Sequence, residues 1–174
     1  MSAVEAVSSV RESGAAMAIL VGGLACGAMD ITAAFMVYGL FGAKPIPLLQ
    51  GIAAGLMGPR AHQGGWITAA LGLAYHFLIA FWAASAFVVV SRWWGFLIEH
   101  YIISGILYGP VVYFFMQLVV LPLSAARKHP FSVKMMVIGL VIHVICVGLP
   151  IAIVTRQIFG DLSNCPHSPT PSSR

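Results

Sequence analysis

Charge is scarce in this chain. Of 174 residues, nine are Lys or Arg and five are Asp or Glu, 8% of the sequence, where a soluble domain carries roughly 25%. So few charges cannot cover a soluble surface of this size, whereas a surface facing lipid tails needs none. Cysteine is scarcer still. Cys26 and Cys146 lie inside apolar runs and Cys165 stands alone near the end, so no disulfide framework is expected. A positive leading region is missing, because Glu5 and Glu12 outnumber Arg11, and no cleaved secretory leader is expected. Gly23-Leu24-Ala25-Cys26 fails as a lipoprotein signal, since glycine stands where a large aliphatic residue is required.

The motifs of common enzymes are absent too. There is no Gly-x-Ser-x-Gly, no His-Glu-x-x-His, no phosphate-binding Gly-Lys-Ser/Thr and no dinucleotide fingerprint. Asp30 is the single aspartate inside the apolar runs, which excludes an intramembrane aspartyl pair. Ser85 or Ser104 would need a histidine in reach to act as a nucleophile, and no local pattern argues for one. No conventional enzyme activity is expected.

What the chain has is apolar sequence: 60% hydrophobic residues and a mean hydropathy of +0.95. Runs at about 15–41, 65–90, 100–123 and 132–158 are each long enough to cross ~30 Å of hydrocarbon as a helix. The expected fold is therefore all-α, a polytopic membrane protein with four transmembrane helices over 15–160. A short segment, 1–14, precedes this domain, and a Pro/Ser-rich tail, 161–174, is expected to be disordered. Between the first two spans, prolines bracket an apolar patch at about 46–58. It is too short to cross and reads as an interfacial or re-entrant helix. Trp93 and Trp94 beside Arg92 read as an interface anchor, and Pro110 is expected to kink the third span or break its hydrogen-bond ladder.

The net charge of +4 is assigned to lipid head groups, so the bilayer is the expected partner and nucleic acid is not. Lys44, Arg60, Arg127, Lys128 and Lys134 fall on one side, against Arg11, Arg92, Arg156 and Arg174 on the other. That split is too even to set the orientation.

Against this background Asp30, His76 and His143 stand out as ionisable groups deep in apolar runs, where such groups are costly and mark a site or a buried pairing. Each histidine ends a Gly-Leu-x-x-His, at Gly72–His76 and Gly139–His143. Counting along ideal helices puts Asp30, His76, His143 and Tyr113 near the midplane, with Gln117 about a turn nearer the surface. Gly23, Gly27, Gly72, Gly105, Gly109 and Gly139 lie on small-residue stripes that let helices approach, inside the bundle or between copies in a homo-oligomer. Three readings of the polar set stay open: hydrogen-bonded glue between helices, a site binding or passing a proton, small ion or solute, and a haem or single-metal site with His76, His143 and Asp30 as ligands. Glu99-His100 reads as a solvated helix end, and His62 and His129 as loop residues.

Spans one and three share a Gly-aliphatic-x-x-Gly and spans two and four the Gly-Leu-x-x-His, which suggests a tandem pair of helical hairpins. The same order of pieces, carried by Gly105, Gly109, Gln117, Pro122, Gly139 and His143, resembles the YagU-like bacterial inner-membrane proteins of unknown function over roughly residues 15–160. The chain departs from that pattern with Gln117 where the family suggests histidine, and with its Pro-bracketed insert. The resemblance implies a bacterial inner-membrane location and no known activity.

Overall fold

The computed structural model describes residues 3–125 and 132–163. The basic stretch Arg127–Pro130 and the residues from 164 onward, Cys165 among them, lie outside the described residues. Every described element is helical. Helix α1 runs Ala3–Leu40, so the segment ahead of the first span is helical and continuous with it; it holds no proline, and its first glycine is Gly14. Helix α2, Pro45–Met57, opens on a proline, where a missing N–H removes nothing, and stops at Gly58, whose φ of 67° suits glycine. A tight 3-10 turn, Gly58–Gln63, leads to α3, Gly65–Trp93. After the single turn α4, Phe96–Glu99, come α5, Tyr101–Leu123, and α6, which starts at Val133 and continues to Ser163.

Four of these helices carry stretches long and apolar enough to cross a membrane: Glu12–Leu40, Gly65–Trp93, Tyr101–Leu123 and Val133–Gly160. Their outer faces leave large apolar side chains uncovered, with Leu20, Leu24, Ile67, Leu78, Ile106 and Leu118 exposed, as a lipid-facing surface requires. Trp66 and Trp93, 76% and 83% exposed at opposite ends of α3, lie about 40 Å apart along the helix, a separation that suits the two interfacial levels of a bilayer. Helix α1 is central, with α3 on one side and α6 on the other, while α5 packs chiefly on α6 and α2 lies against the first part of α3.

The helical run continues through Pro110; the ladder changes elsewhere. It widens to i→i+5 bonding over Met116–Val120 in α5 and over His143–Gly148 in α6, where Leu121 N–H reaches the Met116 carbonyl and Leu149 N–H the Val144 carbonyl. Each widened stretch sits just ahead of a proline, Pro122 or Pro150. A proline ring clashes with the carbonyl four residues back, here Leu118 or Cys146, and a π turn carries that carbonyl aside. Pro110 has no such widening.

Candidate functional site

The polar side chains are placed by two glycine seams. Along α1–α3, Gly23 packs against the Phe81 ring, and a β-carbon at Gly27 would meet Phe77 at 2.8 Å and Ala80 at 3.2 Å. The close approach brings His76 onto α1, where its Nε2 lies 2.9 Å from the Gly27 carbonyl oxygen. A carbonyl only accepts, so Nε2 carries the hydrogen and Nδ1 of the neutral ring keeps a lone pair. His76 is thus an interhelical tie. We expect His76→Ala to lower stability by about 1 kcal/mol, the usual worth of such a bond in a bundle. A thermal unfolding midpoint in detergent equal to that of the unchanged chain would show the bond to be idle.

Along α5–α6 the contact is closer still. Gly105 and Gly109 face the backbone of His143, Val144, Gly148 and Leu149. Tyr113 is buried, and its ring covers Gly139, where a β-carbon would stand 2.5 Å away. The same ring meets His143 edge to face, centroids 5.3 Å apart. His143 donates Nδ1–H to the Gly139 carbonyl of its own helix, at 2.9 Å, leaving the Nε2 lone pair as its proton-accepting position.

Asp30 is half-buried on α1. Helix α1, which carries it, packs along the widened stretch of α6 that begins at His143. Among the described residues, no hydrogen bond or ion pair engages the Asp30 carboxylate.

The structure therefore divides the polar set. Tyr113 and His143 meet across the α5–α6 seam, whereas Asp30 lies on α1 with no hydrogen bond or ring contact to either among the described residues, and Tyr38 is exposed near the end of α1. His76 is committed to Gly27, and Gln117, in the widened stretch of α5, is exposed. Positions along the helices can be counted from their ends. His76 lies about 15 Å along α3 from Trp66 and about 26 Å from Trp93, and Asp30 is nearly a turn beyond Gly27 toward the first loop. No group of three His, Cys, Asp or Glu among the described residues is placed to hold a metal ion. The metal set weighed from the sequence is not assembled: the His76 imidazole is turned to a carbonyl of α1 and the His143 imidazole to one of its own helix.

Other glycines differ from expectation in what they meet. Gly72 does not face the bundle: the Leu49 carbonyl of α2 sits on it. Beside that contact is a buried polar knot absent from the candidates read from the sequence. Gln50 Nε2 donates to the Gly65 carbonyl at 3.0 Å, and Thr68 Oγ1 donates to the Ala61 carbonyl at 2.6 Å. One available signal was Gln50 itself, a polar residue within the apolar patch. The glycine stripes are occupied within the chain, so they are not free for contact between copies.

The chain matches no protein-family model, no curated protein and no solved structure.

Proposed function

We propose that the protein is a small integral membrane protein of a bacterial inner membrane that binds or passes a proton or small cation through Asp30, His143 and Tyr113. The observation that carries this reading is the Asp30 carboxylate, half-buried in a span with no hydrogen-bonding or ionic partner among the described residues. A carboxylate so placed is costly unless a proton or cation visits it. Tyr38 and Tyr113 provide hydroxyls between the first-loop end and this level, and His143 has a lone pair to receive a proton. The widened α6 ladder at His143 supports the reading, because π turns concentrate at working sites. No bond-making step is required, and none of the residues is assigned as a catalyst. The proposed location rests on the resemblance to YagU-like proteins.

Four spans enclose little room, so a path across the whole bilayer calls for a homo-oligomer joined through outward apolar faces rather than the occupied glycine stripes. The test is proton flux in proteoliposomes under an imposed gradient, read by an internal pH dye. Asp30→Asn should reduce flux to the leak of empty liposomes, while His76→Gln retains it. Equal flux from Asp30→Asn and the unchanged chain would overturn the proposal. The His76–Gly27 bond favours a second reading, in which all these residues are packing glue; absence of flux from the unchanged chain would select it.

Two finer features of the fold belong to the same proposal. Helix α2 is read as interfacial. Its contact at Gly72 is about 10 Å into α3, a helix of about 44 Å against ~30 Å of hydrocarbon, so the contact falls only a few ångströms inside the core. The tandem-hairpin reading is supported by the matched seams: Gly27 meets the His76 helix, and Gly109 meets the His143 helix.

A further inference from the structure

We infer that the end of the molecule formed by α2 and the turn Gly58–Gln63 binds the phosphate head group of an anionic phospholipid. A cleft of about 350 Å³ opens there, lined by Ala54, Pro59, His62 and Gln63, a size at the small end of ligand sites. His62 and Gln63 bring N–H donors to its wall, and the exposed guanidinium of Arg60 stands on the same turn. Arginine, imidazole and amide donors suit phosphate oxygens. Beside them Leu56 is 71% exposed and Met57 is also uncovered. Apolar surface next to cationic donors matches a lipid, whose acyl chain covers the former while its phosphate meets the latter; a soluble phosphate would leave Leu56 bare.

The distribution of charge points to an anion. No Asp or Glu occurs between Asp30 and Glu99, nor between Glu99 and Asp161. The end bearing the first and third loops therefore has Lys44, Arg60 and Lys134 with no acid of its own to answer them. The opposite end has Glu5, Glu12, Glu99 and Asp161 alongside Arg11, Arg92 and Arg156. Lys134 lies over the Phe41 ring, 5.0 Å from its centroid, and Trp66 sits exposed at the same level, as head-group-level residues do. The cleft end is thus cationic and interfacial together.

The test uses the full chain in detergent, exchanged with phosphatidylglycerol or phosphatidylcholine, with bound lipids counted by native mass spectrometry. The unchanged chain should retain phosphatidylglycerol preferentially. Arg60→Gln should weaken that retention about fivefold, the effect of one cation near an anionic surface, and adding His62→Gln should weaken it further. Arg92→Gln, at the opposite end, should leave it unaltered. Arg60, His62 and Arg92 are all exposed, and an unchanged unfolding midpoint verifies that each variant is folded. Equal retention of the two lipids overturns the site. A loss in Arg92→Gln equal to that in Arg60→Gln does so as well, since it means diffuse attraction. Displacement of the lipid by soluble glycerol 3-phosphate at matched concentration would assign the cleft to a free phosphate and overturn the lipid assignment.

Discussion

Gly109→Ala is expected to lower stability by about 3 kcal/mol, the top of the ordinary range for overpacking. A β-carbon at 109 would stand 2.6 Å from the His143 carbonyl oxygen and 2.6 Å from Val144 Cα. Both neighbours are backbone atoms, so no side chain can swing aside; the helices must separate. Gly148 presses back on Gly105 and Gly109 in the same way. The seam is backbone on backbone, where short Cα–H···O contacts and dispersion replace side-chain interdigitation. Moving the helices apart loses these contacts along the whole seam and disturbs the widened turn at His143. The unfolding midpoint in detergent should fall by about 6–12 °C. Gly39→Ala and Gly51→Ala are the controls. Nothing lies within 4 Å of a β-carbon at either position, so each should hold stability or raise it by up to ~1 kcal/mol through helix propensity. If Gly109→Ala melts with the unchanged chain, the α5–α6 seam is wrongly placed.

Asp30→Asn is expected to move two observables in opposite directions. Replacing an unpaired carboxylate by an isosteric amide removes the cost of keeping a charge half out of water, so stability should rise, by on the order of 1 kcal/mol. The amide cannot bind and release a proton, so proteoliposome flux should be lost. A residue acting as glue would behave otherwise, because removing its charge breaks a favourable contact and lowers the midpoint. A falling midpoint with Asp30→Asn would therefore count against the proposed role even before flux is measured. His76→Ala is the complement: it should lower the midpoint with flux retained, since the Gly27 carbonyl loses its second donor while Asp30 is untouched.

The glycine results show where reading along the chain runs out. Gly23, Gly27, Gly72, Gly105, Gly109 and Gly139 all read as small-residue packing positions, yet what each meets ranges from a phenylalanine ring at Gly27 to a backbone carbonyl at Gly72. Spacing identifies a face that can be approached and is silent about the approaching atom. The histidines carry the same lesson. Identical Gly-Leu-x-x-His patterns end with His76 tied to another helix and His143 tied to the glycine of its own pattern, so the local pattern does not say which of the two partners the imidazole takes.

By itself the sequence determined that the chain is helical, with four stretches able to cross a membrane. Twenty or so apolar residues in hydrocarbon must satisfy every backbone N–H and C=O internally, and a helix does so with no help from the rest of the molecule. That is a local requirement, legible from composition and run length. Only the tertiary structure decided that Tyr113 covers Gly139 and meets His143, that His76 is committed to Gly27, and that α2 rests on Gly72. Each of these depends on which helices lie beside which, and in lipid that choice comes from close packing and a few polar contacts between segments far apart in the chain.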